Sequence, residues 1–575
     1  MGQETGPSSS DSPYILPVEP GVRTISVLTV GDSVPGNGGP YRMAGIPDGM
    51  GAWDNGDGTF TLIMNHELSN TRGVVRRHGA IGAFVSKWIV DKETLAVLEG
   101  QDLIQRQYRY DVGSGSWILD TYAFCRFCSG DLPAQTAFFN SISGRGTLNR
   151  IFMNGEECGN DGRAFAHVAD GPNAGSSYEL ARCGKLSFEN NVACPYPQDR
   201  TIVIGTDDST PGQIYVYVGQ KQTTGNDIEL AGLANGNLYG VKVDGVPLED
   251  REGGIGEGGK RFGLYNFGDV SNLTGTELNN LSNLAEVTQF LRPEDGSWDP
   301  NQPNNFYFVT TDRFDQVKEG VGQQVGRTRL WRLRFDDIAN PVAGGMIEAV
   351  LDGTQPGQMF DNINVDRLDH VMIQEDPGNQ PYLSKIRQYS ILDESLTTLA
   401  EHDVNRFGDY NTQATPPFNQ DEETSGIVEV GSILGNGWFL ITCQAHYSLS
   451  DPALVEGGQL MLLYNPGSTG EAFTLTEPEP GIAGRENTVR VFDAAPNTEV
   501  YLIYGRRGGL VEIPGCPVQL RMADPVRAGH QTTDQNGGAA FTLPVPERAS
   551  GRTILLQLVD KSHCRVSNLV EATFE

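Results

Sequence analysis

Six times along the chain, a short apolar run ends in a small polar step and then a side chain suited to hold a metal. The runs occupy residues 61–67, 150–157, 201–208, 305–312, 370–376 and 438–446. Their apolar residues are consecutive and do not alternate with polar ones, the pattern of strands covered on both faces. Carboxylates seldom end such strands by chance, because an unpaired buried charge is costly. In a β-propeller the innermost strands of all blades end at one mouth of a central channel. Taken as innermost strands, the six runs predict a ring of acidic and imidazole side chains around one cavity. The expected fold is all-β, a six-bladed β-propeller followed by a small C-terminal β-sandwich. From Glu67 to His446 the five steps average about 76 residues, against roughly 40–50 in ordinary blades. Long insertions between strands are therefore expected.

Punctuation divides the rest of the chain. The 71 Gly and 32 Pro are spread throughout, as in a protein of many short strands and turns. Residues 1–12, rich in Gly and Ser, read as a disordered leader, with 13–466 as the propeller. An extended segment at 15–30 is placed to close the propeller against its last blade. Residues 54–60, Asp-Asn-Gly-Asp-Gly-Thr-Phe, form a hairpin turn, and residues 274–289 a helix on the rim. A Pro- and Gly-rich stretch at 467–484 reads as a linker. Residues 485–575, with short strands and two cysteines, read as an Ig-like or fibronectin-III-like sandwich.

Charge and cysteine content narrow the setting. The formal charge is −31, from 42 basic and 73 acidic residues. This balance repels nucleic acid and anionic membrane, and neither is expected as a partner. No apolar stretch is long enough to span a bilayer. Cys183 with Cys194, and Cys516 with Cys564, are the expected disulfides, whereas Cys125, Cys128, Cys158 and Cys443 are left unassigned. Cys125-Arg-Phe-Cys128 has redox or zinc spacing, but no second such pair accompanies it. Disulfides predict a secreted location, extracellular or periplasmic.

Several stretches resemble PhoX-type alkaline phosphatases and their phytase-like relatives. They are Gly45-Ile-Pro-Asp-Gly-Met-Gly51, Asn65-His-Glu67, Asn154-Gly-Glu-Glu157 with Gly162-Arg163 and His167, and Gly205-Thr-Asp-Asp208. The likeness continues through Thr310-Thr-Asp-Arg-Phe-Asp315, Met359-Phe-Asp-Asn362, Gln374-Glu-Asp376 and Glu422-Glu-Thr-Ser-Gly426. It covers roughly residues 20–465. The resemblance implies a six-bladed propeller with several Ca2+ ions and, in PhoX-type members, an Fe3+ pair at the channel mouth. Phosphate monoesters would be hydrolysed there. The chain departs from the family where a cysteine, an iron ligand, precedes the glutamate pair: that position is Gly155, and Cys158 follows the pair instead. The departure weakens the expectation of iron and leaves that of calcium.

Calcium takes six to eight oxygen ligands. The candidates are Glu67, Glu156, Glu157, Asp207, Asp208, Asp312, Glu375, Asp376, Glu422 and Glu423, with one ligand expected from each doublet. Arg163 and Arg313, each close after an acidic motif, are the candidate phosphate clamps. His167 is the candidate proton donor, and His66 and His446 are further candidates for metal or proton transfer. Together these predict a secreted, metal-dependent phosphoesterase. The alternative is a non-catalytic, calcium-stabilised extracellular propeller that self-assembles through a terminal strand or the C-terminal sandwich. No Gly-x-Ser-x-Gly elbow supports a serine hydrolase.

Overall fold

The computed structural model describes residues 3–574 apart from 251–253, 257, 312–327, 392–393, 469–472, 493, 510, 515–518, 536 and 563–564. It divides into two compact units, Met1–Pro466 and Gly467–Glu575.

The first unit is all-β and propeller-like. Its frame is a series of four-strand antiparallel meanders. Their inner strands are Pro47–Asp54, Phe127–Asp131, Phe188–Ala193, Pro293–Trp298, Phe360–Val365 and Glu423–Glu429. Each inner strand lies beside the next, and the last lies beside the first, so that they enclose a central channel. The third and fourth meanders are joined into one continuous sheet where Lys260–Gly268 pairs with Gly345–Leu351.

The apolar runs are not the innermost strands. They form the second strand of each meander: Thr59–His66, Ile151–Glu156, Arg200–Asp207, Asn305–Thr310, His370–Glu375 and Trp438–Ser448. A second strand is paired along both edges and covered on both faces, which is what a continuous apolar run encodes. The inner strands border a polar channel and are mixed in character, so they lack that signature. Cores lie between neighbouring meanders. Trp88 and Met64 pack with Leu440 and Leu462, and Trp331 packs with Ile204 and Phe306.

The N-terminal segment closes the ring. Arg23–Thr29 pairs antiparallel with Glu456–Tyr464 of the last meander, and Ile15–Pro17 pairs with Leu396–His402 of the fifth. Residues 3–12 are ordered, against the expectation of a disordered leader. Gln3–Thr5 adds a parallel strand to Arg23–Thr29, and Arg406 Nη2 donates to Asp11 Oδ1 at 2.8 Å. The small residues permit close docking: a Cβ at Gly6 would lie 2.4 Å from the Ser26 carbonyl oxygen. The predicted helix is Gly275–Leu284, started by a capping box between Thr274 and Glu277.

Among its described residues the second unit has a two-stranded ribbon, Val511–Glu512 paired with Gln519–Leu520, and two small sheets. One contains Thr474–Leu475, Glu486–Phe492 and Ala539–Pro544, and the other Val526–Thr532, Glu499–Gly505, Thr553–Asp560 and their partners. Phe473, Leu475, Val489, Leu502, Phe541 and Leu558 form the core between them. The stretch expected as a linker is thus partly structural, because Phe473 and Leu475 are buried core residues and Glu479 bridges to Thr488.

Candidate functional site: a carboxylate ring at the channel mouth

The inner strands repeat one local device. Each of the first five begins with Pro or Phe, then an acid or cysteine, and then breaks register by a bulge. The residues after the Pro or Phe are Asp48, Cys128, Glu189, Glu294 and Asp361. A bulge re-aims the side chain beside it, here towards the channel. In four of the five the preceding residue has positive φ: Ile46 at 51°, Arg126 at 36°, Arg292 at 61° and Met359 at 48°. In the sixth strand the bulge comes later, after Ser425, and Glu423 supplies the acid.

Facing these are the residues just beyond the second strands: Glu67, Glu157, Asp208, Thr311 and Asp376, with Gln444 at the matching register of the sixth. Four clusters result: Asp48–Glu67–Cys128, Cys128–Glu157–Glu189, Glu189–Asp208–Glu294 and Asp361–Asp376–Glu423. Within each, the candidate ligand atoms lie within 4.8 Å of one another. Shared members link the first three into an arc.

The acidic doublets divide by strand alternation. In three of them the first residue ends the second strand and is tied into the sheet, while its neighbour turns to the channel. Glu156 accepts from Arg163 Nε at 2.8 Å and Nη2 at 3.0 Å, and from the Cys125 amide. Asp207 accepts from Ser209 Oγ at 2.8 Å. Glu375, wholly buried, accepts from Arg387 Nε at 2.7 Å, the Tyr382 hydroxyl and the Lys385 amide. Glu422 takes the Ser384 amide and stays outside the clusters, whereas Glu423 enters one. Thus Glu67, Glu157, Asp208, Asp376 and Glu423 are brought together, and Glu156, Asp207, Glu375 and Glu422 are not. Asp312 and Arg313 lie outside the described residues. The matching register position in that meander is Thr311, whose hydroxyl donates to Glu294.

Arg163 does not face the ring. Its fork is spent on Glu156, and its guanidinium lies 4.2 Å from the Tyr122 ring centroid. His167 is buried among Phe124, Phe127, Phe152 and Phe165, with Nε2 2.8 Å from Asn154 Oδ1. Burial, with His78 nearby, lowers its pKa to about 3, so at neutral pH it is the neutral imidazole and not a general acid. His66 is likewise held near 3 by burial and stacks on Phe84. His446 differs: it bridges Glu456 Oε2 at 2.9 Å and Glu423 Oε2 at 3.4 Å.

Two arginines missed by the sequence reading do reach the ring. Arg126 spans Glu67 at 2.7 Å and Glu157 at 2.5 Å, and 43% of its side chain remains exposed. Arg292 pairs with Asp208 at 2.7 Å and Glu294 at 3.2 Å. Beneath the ring the channel is crossed by polar contacts. Asn362 Nδ2 donates to Ser129 Oγ, and Ser129 Oγ to Glu189, each at 2.6 Å. Gln444 Nε2 reaches both Asp48 and Glu67.

The cysteines also sort themselves. Cys125 and Cys158 form a disulfide, with Cα atoms 6.1 Å apart, flanking the Glu156-Glu157 doublet. Cys183 and Cys194, expected to pair, are free because they are buried in different cores. Cys516 and Cys564 lie outside the described residues. Cys128 is free and sits in the ring, with Sγ 3.0 Å from Glu157 Oε2. A cysteine at Gly155 does not fit, since its Cβ would lie 2.3 Å from that of Phe188.

Crowding governs the ring's protonation. Burial and neighbouring acids raise Asp48, Glu157, Glu189, Glu294 and Asp361 well above the usual carboxylate range. Glu423 is pushed up to about 7, first by burial and then by Asp376. Burial opposes ionisation of Glu67 too, but Arg126 and Gln444 outweigh it and hold that carboxyl low. Several acceptor oxygens here, Glu294 Oε2, Asn362 Oδ1 and Gln444 Oε1, have no hydrogen-bond partner.

No family model matches the chain, and no curated protein sequence matches it. Among solved structures, the chain is similar to Pseudomonas fluorescens PhoX in complex with vanadate, a transition state analogue. The TM-score is 0.51 and the identity 12%, over 80% of this chain and 99% of that one. At that identity the likeness establishes the fold, an all-β propeller architecture. Prolyl oligopeptidase B from Galerina marginata, bound to a 35mer hydrolysis and macrocyclization substrate, aligns at TM-score 0.22 and 8% identity. That match covers 79% of this chain and 48% of the other, and no argument rests on it.

Two predictions follow from the burial pattern. Arg387→Ala leaves Glu375 charged and unpaired in the sheet, and should cost about 3–5 kcal/mol in chemical denaturation. The second concerns pH in chelator-treated protein. Acids whose folded pKa is raised bind more protons folded than unfolded, so stability falls as pH rises through the interval between the two values. With Asp131, Asp207 and Glu423 near 7 and Glu422 near 8, the melting temperature should rise on going from about pH 8 to about pH 6. A fall over that range would contradict the assigned burial.

Proposed function

We propose that the first unit is a six-bladed propeller whose channel mouth holds several divalent cations, mainly Ca2+, and hydrolyses phosphate monoesters outside the cytoplasm. One observation carries this reading. The nine carboxylates of the four clusters converge on one mouth, while Arg126 and Arg292 are the arginines that pair with them there. The donor set fits calcium. It is almost wholly oxygen, includes amide carbonyls, and retains unpartnered acceptors on Glu294, Asn362 and Gln444. Asp48, Glu67, Glu157, Glu189, Asp208, Glu294, Asp361, Asp376 and Glu423 are the proposed ligands. Cys128 adds a single thiol, which suits one position to a softer metal and reopens at a new residue the iron expectation that Gly155 closes.

Divalent ions bound there would neutralise a phosphate ester and favour attack upon it. The protein's own part is to place charge. Arg126, half exposed above the arc, is positioned to grip phosphate oxygens by its planar fork. Arg292 reaches the same arc, where its fork holds Asp208 through Nε at 2.7 Å and Nη2 at 3.2 Å. Asn362, Ser129 and Glu189 are joined by hydrogen bonds beside the arc, which fixes Glu189 in place. The disulfide supports an oxidising location, and no helix among the described residues is long and apolar enough to cross a membrane.

Arg126→Lys keeps charge but loses the fork, and should lower phosphomonoesterase kcat/KM by about tenfold or more, with a smaller fall in melting temperature than Arg126→Ala. Arg163→Lys should act mainly on stability. Calcium added to chelated protein should raise the melting temperature by several degrees through mass action, and release protons because raised carboxyls must ionise to bind it. Calorimetry in buffers of different ionisation enthalpy measures that release. If metal-replete protein turns over no phosphate ester across a broad panel while calcium still stabilises it, the ring is structural.

A further inference from the structure

The acidity of the chain is unevenly shared. From Gly467 onward there are 10 Lys and Arg against 13 Asp and Glu, so that residues 1–466 carry −28 of the −31. Within this nearly balanced second unit, one groove gathers Arg506, Arg527, Arg548 and Arg552, and no acid among the described residues lines it. None of the four forms an ion pair among the described residues. Arg527 instead lies 5.0 Å from the ring of Tyr501.

The groove opens between the two sheets, where Ala539–Pro544 of one separates from Glu499–Gly505 and Thr553–Asp560 of the other. Its volume is about 740 Å3, inside the span of roughly 300–1,000 Å3 typical of small-ligand pockets. The floor is apolar. Leu543 and Ile554 are half-buried at its sides, and Leu556 and Phe574, 3% and 2% exposed, belong to its base. Four like charges gathered on one rim repel one another. An apolar slot open to water forgoes burial that a filled slot would gain. One kind of occupant relieves both costs.

We propose that this groove binds an amphiphilic anion: a single aliphatic chain seated between the sheets, with a carboxylate or phosphate head held by the arginine rim. Charge complementarity requires the anion, and guanidinium forks match planar carboxylate or phosphate. The apolar lining calls for the chain, which can lie along the half-buried Leu543 and Ile554 between the sheets. The site is separate from the carboxylate ring and does not depend on the reading of that ring.

The test uses the full-length chain and dansyl-undecanoate as probe, followed by fluorescence. Its methyl ester serves as the uncharged counterpart and inorganic phosphate as the chainless anion. Saturable one-to-one binding of the acid is expected, about tenfold or more tighter than the ester, with phosphate failing to compete. Replacing Arg527 and Arg548 together with Ala should weaken the acid by about tenfold or more at unchanged melting temperature, since both side chains are exposed. Replacing Arg485 and Arg490, which do not line the groove, should leave it unchanged. Equal affinity for acid and ester, insensitivity to the Arg527/Arg548 change, or no saturable binding would overturn the proposal. So would concentration-dependent self-association in sedimentation that the same two substitutions abolish, because the groove's occupant would then be a second copy.

Discussion

Repulsion among buried carboxylates at one channel mouth is the constraint around which the first unit is built. Two full charges about 5 Å apart repel by roughly 3 kcal/mol at an effective dielectric near 20. Three clusters linked in an arc and a fourth beside them multiply that cost. Arg126 and Arg292 offset part of it, at Glu67–Glu157 and Asp208–Glu294. Burial first, and this repulsion after it, makes carboxyls there hold their protons well above the ordinary range. A fold of small net stability keeps such an arrangement only where protons or cations complete it.

The scaffold answers the same constraint in its geometry. Acids that do not serve the mouth are neutralised inside the sheets, Glu156 by Arg163 and Glu375 by Arg387. The distinction is made by one residue of strand alternation: Glu156 and Glu375 end their strands facing bonded neighbours, and Glu157 and Asp376 step into the channel. Inner strands achieve the complementary aim by a bulge after a Pro or Phe anchor. Positive φ at Arg126 and Arg292 is strained for side chains of that size. The same turns carry Arg126 to Glu67 and Glu157, and Arg292 to Asp208 and Glu294.

Much of this was legible in the sequence, though at the wrong radius. The apolar runs correctly marked buried strands tipped by Glu67, Glu157, Asp208 and Asp376. Continuous burial, however, identifies the second strand, not the innermost one, and the reading moved each run inward by one place. Asp48, Glu189, Glu294 and Asp361 were missed for the converse reason, because channel-lining strands mix polar and apolar residues and carry no clean period. A signal did exist in the repeated Pro or Phe followed by an acid and a small polar residue, as in Pro47-Asp-Gly49, Phe188-Glu-Asn190, Pro293-Glu-Asp295 and Phe360-Asp-Asn362. The disulfide could not be read from spacing: the sequence separation of 33 between Cys125 and Cys158 is closed by sheet register, whereas Cys183 and Cys194, nearer in sequence, lie in different cores.

Cys128 is the one ring member that breaks the chemistry of the rest. In the first, third, fourth and fifth inner strands its place holds a carboxylate. Burial, followed by Glu189 and Glu67, keeps its thiol protonated in the metal-free chain, so it adds no charge to an already repulsive arc. A cation reaching that point would find two clusters meeting at one sulfur, with Asp48 and Glu67 on one side and Glu157 and Glu189 on the other. Sulfur there costs affinity for a hard cation and gains it for a softer one. Phe188 forbids a thiol at Gly155, yet the neighbouring inner strand presents one to Glu157 at 3.0 Å. In this chain the one thiol of the clusters is therefore supplied by an inner strand, and not by the second strand that carries Gly155.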